Sequence, residues 1–245
     1  MPERRLSGQT ERVESELGID TLLVILEGIG TVAFAFSGVL TAKETNMDVF
    51  GALVLGVVTA IGGGMLRDIL LGTFPPVALM RPSYLLTSLG ASAFLILLEY
   101  CLQPALQRHR PATDTFLNIT DSLGVAAFAV IGVQGALDSP YHSGYLAVFV
   151  GMITAVGGGM LQDILATKMP VVMRKRVYAL AALIGSLVYY LLQTRSGIGS
   201  RTLSALVSIV LVLAIRFLAI HYKWNLPKMP ADVEKGSSGD SGGKP

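Results

Sequence analysis

The chain has 245 residues, 52% of them hydrophobic and 15% charged, with a formal net charge of +2 and a mean hydropathy of +0.60. Soluble domains carry about 25% charged residues, so this composition excludes an ordinary soluble fold and points to a membrane protein. So small a net charge argues against a nucleic-acid partner, and the single cysteine, Cys101, leaves neither an intrachain disulfide nor a cysteine-based metal cluster.

Residues 1–21 mix arginines with acidic side chains and lack the compact apolar core and small-residue cleavage site of a secretory signal. They read as a polar lead-in with about one helical turn. Seven apolar segments follow, at 22–42, 50–71, 84–102, 116–136, 145–165, 177–192 and 203–220, each near the length of a transmembrane helix, although the sixth is short. The expected organisation is a first three-helix unit over 22–102, a linker over 103–115, and a second unit over 116–192. A seventh helix within 201–222 and a tail over 223–245, rich in Gly, Ser, Lys and Pro and expected to be disordered, complete it.

The two units repeat one another. The stretch Ala60-Ile-Gly-Gly-Gly-Met-Leu-Arg-Asp-Ile-Leu70 returns as Ala155-Val-Gly-Gly-Gly-Met-Leu-Gln-Asp-Ile-Leu165, and Gly30-Thr-Val-Ala-Phe-Ala35 matches Gly124-Val-Ala-Ala-Phe-Ala129. The acids Glu27 and Asp121, the prolines Pro75 and Pro170, and Arg81 and Arg176 fall at corresponding places. An internal repeat of this period is the mark of a duplicated unit. Three spans per unit is an odd number, so the second unit enters the membrane from the opposite side and the two are inverted about an axis in the membrane plane. Lys and Arg concentrate on the C-terminal side, notably at Arg174, Lys175 and Arg176. The positive-inside rule then places the C-terminus in the cytoplasm and the N-terminus outside.

The glycine triplets, Gly62, Gly63 and Gly64 in the second segment and Gly157, Gly158 and Gly159 in the fifth, predict a kink or a short unwound stretch near mid-membrane. Each glycine costs about 1 kcal/mol against alanine in a helix, although small residues also serve close helix packing. Arg67 and Asp68 follow the first triplet, Gln162 and Asp163 the second. Ionisable groups within a span cost about 2.5 to 3.5 kcal/mol on insertion scales, so they are expected to face a wet path or a partner. Both aspartates are expected in the first turn after the break, stabilised by a helix N-terminus, one towards each end of the path. Arg67 against Gln162 makes that path electrically asymmetric. Thr59 and Thr154 offer hydroxyls to an ion, with bonding back to their own helices as the alternative. Glu27 and Asp121 are secondary candidates at the starts of their spans; Glu99 and Arg216 read as interfacial anchors. His109, His142 and His221 have no metal-ligand spacing and no Ser-His-Asp arrangement emerges, so neither enzymatic chemistry nor a metal or cofactor is expected.

The doubled Gly-Gly-Gly-Met-Leu-x-Asp-Ile-Leu with its trailing proline, in seven spans, resembles the prokaryotic trimeric intracellular cation channels. It also resembles the bacterial membrane proteins with a glycine transporter domain. The resemblance covers about residues 22–222 and implies an all-α homotrimer with one pore per protomer, lined largely by the second and fifth spans. The implied activity is conduction of monovalent cations, K⁺ and Na⁺, across the cell membrane. A basic phosphoinositide motif on the fourth helix of the animal members is not found within 116–136. The alternative is a secondary transporter of a small zwitterion such as glycine, with Arg67 or a helix N-terminus holding the carboxylate.

Overall fold

The computed structural model describes residues 3–106, 110–141, 143–174, 176–195 and 201–222, and side chains within 21–101, 115–141, 143–173, 177–194 and 201–222. The expected tail over 223–245, His109, His142 and the side chains of Arg174, Lys175 and Arg176 lie outside these. The described secondary structure is all helical: α1 (Glu3–Glu44), α2 (Val49–Leu70), the single turn α3 (Val77–Met80), α4 (Pro82–Leu106), α5 (Arg110–Leu137), α6 (Gly144–Leu165), the single turn α7 (Val171–Arg174), α8 (Arg176–Arg195) and α9 (Arg201–His221). Among the described residues seven spans are long and apolar enough to cross a membrane: Thr21–Glu44, Val49–Leu70, Pro82–Cys101, Thr115–Leu137, Gly144–Leu165, Val177–Thr194 and Arg201–His221. They coincide with the seven expected segments to within a few residues.

Three expectations change. The polar lead-in is helical from Glu3 and continuous with the first span, so it is a helical extension and not a single turn. The linker over 103–115 is largely taken up by the end of α4 and the start of α5. The loops after α2 and α6 each fold a one-turn helix, α3 and α7, which the apolar pattern does not reveal because four residues are too few to show a period.

The two units share their local construction. Asp48 caps the start of α2 through Gly51 N–H at 2.7 Å, and Ser143 occupies the same place before α6. Helix α2 ends with Leu71, Gly72 and Thr73 donating to the carbonyls of Arg67, Ile69 and Asp68. Helix α6 ends with Ala166, Thr167 and Lys168 donating to Gln162, Ile164 and Asp163. Gly72 and Thr167 take the positive φ that such a helix end uses (70° and 54°).

Helices α1, α2, α5 and α6 form the centre, with α4 against the first pair, α8 against the second, and α9 against α8 and α5. Phe34 of α1 and Phe128 of α5, both buried, stack with ring centroids 5.3 Å apart, a geometry worth about 0.5 to 1.5 kcal/mol beyond burial. These residues correspond in the two repeats, so the stack lies on the pseudo-twofold axis. With seven spans, the first begins and the last ends on opposite sides, here named the N-side, where the first span begins, and the C-side, where the seventh ends. Cys101, exposed, stands at the C-side end of the α4 span.

Candidate functional site: two vestibules about a glycine crossing

Helical structure runs through both triplets without interruption, which corrects the expected unwound stretch. The glycines answer a different demand, the crossing of α2 over α6. A Cβ on Gly63 would strike the Thr154 carbonyl oxygen, and one on Gly158 would strike that of Thr59. A Cβ on Gly62 would lie 2.6 Å from Leu161 Cδ1 and one on Gly157 2.7 Å from Leu66 Cδ1. With no side chain between them the backbones approach closely, as small residues permit between helices in lipid. The third glycines behave differently. Gly64 has open space where its Cβ would be, and lines a small cavity that reaches inward to Phe128. Gly159 lines the larger C-side cavity.

Thr59 and Thr154 are fully buried, and their hydroxyls donate back to Leu55 and Val150 carbonyls, each at 2.6 Å. Both hydroxyls thus bond within their own helices, the alternative expected for them.

Two cavities, mainly apolar in lining but each holding charged and polar side chains, open on opposite sides of this crossing. The N-side vestibule, about 260 Å³, includes Glu27, Arg67, Asp68, Tyr84, Gln134 and Asp138. The C-side vestibule, about 460 Å³, includes Thr41, Asp121, Gln162, Asp163, Tyr178 and Arg216. No residue lines both. The sequence-predicted polar groups are thus divided: Glu27 joins Arg67 and Asp68, while Asp121 joins Gln162 and Asp163.

Asp68 and Asp163 are buried, with 3% and 6% exposure. They lie in the last turns of α2 and α6, which corrects their expected place after a break. A helix C-terminus is unfavourable to a carboxylate, and a different set of donors compensates. Asp68 Oδ2 accepts from Val77 N–H at 2.8 Å, and Asp163 Oδ2 from Val171 N–H at 2.7 Å, so each aspartate ties the one-turn helix beyond it to the end of the long one. Asp68 Oδ1 also accepts from Arg67 Nε at 2.9 Å and pairs with its terminal nitrogen at 2.8 Å.

Where the repeats differ, their partners differ to match. Gly135 of α5 leaves room for the Arg67 stem, since its Cβ would stand 3.2 Å from Arg67 Cδ. The corresponding residue of α1 is Thr41, whose hydroxyl accepts from Gln162 Nε2 at 2.6 Å. Ser37 donates to Gln162 Oε1 at 3.2 Å. The long side chain faces a glycine, and the short amide faces hydroxyls.

Sequence reasoning missed two tyrosines and misplaced one arginine. Tyr84 donates to Glu27 Oε2 at 2.5 Å and Tyr178 to Asp121 Oδ1 at 3.1 Å, each 57 residues beyond its acid. That equal spacing in both repeats was the available signal. Arg216 is not an interfacial anchor. It is 6% exposed, reaches Asp121 Oδ2 at 2.6 Å and Ser122 Oγ at 2.9 Å, and lies 4.3 Å over the Tyr178 ring, within cation–π range. Glu99 does pair at the C-side surface, with Lys43.

A family model described as a glycine transporter matches residues 24–100 and 118–194, one match in each repeat. The chain belongs to this glycine transporter family. Among its relatives, a UPF0126 membrane protein of Vibrio cholerae is 38% identical over 217 residues, covering 88% of this chain and 86% of the relative. The UPF0126 inner membrane protein YadS of Escherichia coli is 36% identical over 211 residues, covering 86% and 98%. Solved structures of TRIC cation channels share the glycine transporter fold. One, determined to explain conductance, superposes with a TM-score of 0.72 at 36% identity over 85% of this chain and 97% of its own. The TRIC trimeric intracellular cation channel orthologue from Rhodobacter sphaeroides gives 0.74 at 30% identity over 83% and 100%. The inverted seven-span architecture expected from the duplicated glycine motif is therefore that of a family with known channel folds.

Proposed function

We propose that the chain is a membrane channel for monovalent cations, K⁺ and Na⁺, assembled as a homotrimer with a path through each protomer. The observation that carries this reading is the pair of vestibules, each holding charged side chains, facing each other across one crossing of α2 and α6. Both linings are acidic on balance. Three carboxylates face one guanidinium on the N-side, and three face one guanidinium and one ammonium on the C-side. Carboxylates at the mouths concentrate cations. The polar groups on the path are Arg67 and Asp68, Gln162 and Asp163, and the secondary acids Glu27 and Asp121, with Gly64 and Gly159 at the inner ends. Between the vestibules stand the Phe34–Phe128 stack and the Gly63–Gly158 crossing, so this state is closed and conduction requires both to part. The similarity to TRIC cation channels supports the reading and its trimer.

The orientation that fits the Lys and Arg distribution puts the N-side outside and the C-side in the cytoplasm of a cell-membrane protein. No cofactor or enzymatic step is needed: ions pass down their gradient.

A second reading draws on the family description. The C-side vestibule holds a guanidinium and carboxylates together, the complement of a small zwitterion such as glycine, and a secondary transporter of that class would use it. Purified protein in liposomes separates the two. The channel reading expects voltage-dependent unitary K⁺ current without added substrate. Saturable, gradient-coupled uptake of labelled glycine without unitary current would overturn it.

A further inference from the structure

The two repeats are chemically unequal where it matters most, since Arg67 has Gln162 as its counterpart. Left there, the N-side vestibule would hold a guanidinium and the C-side vestibule none. The seventh helix, which has no counterpart in either repeat, changes that balance. From α9, Arg216 crosses to α5, pairs with Asp121 and covers Tyr178. Its side chain is 7% exposed against 12% for Arg67, and both line their vestibules. Each vestibule thereby contains one arginine, one tyrosine, and two carboxylates from corresponding positions, Glu27 and Asp68 on the N-side and Asp121 and Asp163 on the C-side; Asp138 adds a third acid to the first, and the Glu44–Lys168 pair adds one of each charge to the second. The arginine engages the inner pair differently, holding Asp68 in one and Asp121 in the other.

We infer that Arg216 is a selectivity-determining residue: α9 supplies it to restore to the C-side vestibule the buried guanidinium that the second repeat lost at Gln162, where the other cation, Lys168, is partly exposed and paired with Glu44. This rests on the channel reading. A guanidinium keeps its charge at any working pH, so it offsets a fixed part of the acidic lining. Without it the vestibule gains one negative charge and draws cations more strongly. The competing explanation is that Arg216 only fastens α9 to α5. Fastening depends on where the arginine is, whereas the vestibule field depends on how much charge lies within a Debye length, and that difference makes the two separable.

The test measures the K⁺/Cl⁻ permeability ratio, from reversal potentials of the full-length channel in bilayers under a KCl gradient. R216Q is expected to raise the ratio about two-fold at 0.01 to 0.1 M salt, where the Debye length is about 30 to 10 Å, and to lose the effect near 1 M, where it is about 3 Å. Restoring the charge elsewhere in the same vestibule, as T41G/Q162R/R216Q with the room that Gly135 gives Arg67, is expected to bring the ratio back to the wild-type value. R216K is expected to do so directly. D121N removes a carboxylate and keeps the cation. It is expected to lower the ratio by a similar factor, and keeps the test readable where R216Q does not assemble. A wild-type channel that conducts while R216Q and D121N leave the ratio unmoved overturns the inference alone. So does a change in R216Q that charge at position 162 does not reverse, since that is the behaviour of a fastening. A wild-type protein that carries no K⁺ current overturns the channel reading and this inference with it.

Discussion

Within each triplet the three glycines do different work, and substitution separates them. Gly63 lies against the Thr154 backbone carbonyl, which cannot rotate aside as a side chain can. Gly63→Ala is expected to destabilise the protein by about 1 to 3 kcal/mol, the range of overpacking, seen as a lower melting temperature in detergent. Gly64 faces open space, so Gly64→Ala is expected to melt above wild type, by up to about 1 kcal/mol of helix propensity, while narrowing the inner end of the N-side path and lowering K⁺ conductance. Equal melting of the two variants would contradict the division. Asp68→Asn weakens the bond to Val77 N–H and removes the charge that holds Arg67. A hydrogen bond to a charged group is worth about 1.5 to 3 kcal/mol, and a melting loss of that order is expected. The motif marks all these residues from the sequence, because triplets and acids in an apolar span stand out against composition. Their division of labour is not legible there. Which glycine faces a carbonyl and which a cavity depends on the helix crossing, and Asp68 meets Val77 only because the intervening loop folds back.

Among the elements, α9 was readable as a span but not as a participant. Its arginine sits near a helix end, where an interfacial role is the ordinary expectation, and nothing local to residues 201–222 points at Asp121, 95 residues away. The helix is seated on α8 through Gly185, whose carbonyl accepts from Ser208 Oγ at 2.7 Å and whose missing Cβ makes room for Val212. Gly185→Ala, remote from both vestibules, is expected to push α9 outward and loosen Arg216 from Asp121, lowering the melting temperature in detergent, while the K⁺/Cl⁻ ratio stays near wild type because the guanidinium remains within a Debye length of the vestibule. Val212→Ala in the same chain is expected to relieve the crowding and reverse the change. A Gly185→Ala protein that melts with wild type would show that α9 tolerates the displacement. The repeated elements were far more legible than α9, since two copies of one pattern report on each other. The one-turn helices α3 and α7 are the exception, being too short for a period.

For the whole molecule, the duplicated motif and an odd number of spans per copy were enough to predict two inverted units, because inversion follows from counting crossings and needs no contact information. The central stack was not predictable in this way: it arises from Phe34 and Phe128 meeting at the axis, two ordinary apolar residues in sequence. On the proposed channel reading, the inner ends of the two vestibules are separated by aromatic rings and bare backbone, which would hold this state closed.

The orientation can be read with a group the protein already carries. Cys101 is the single cysteine, exposed at the C-side end of the α4 span, on the opposite face from the start of the first span. It is a native reporter of sidedness. A membrane-impermeant maleimide is expected to leave the thiol unmodified in intact cells and to label it in inverted vesicles, and the reverse pattern would place the C-side outside. Because the wild-type chain suffices, the answer comes without engineering a residue whose own charge or bulk could disturb the topology being measured.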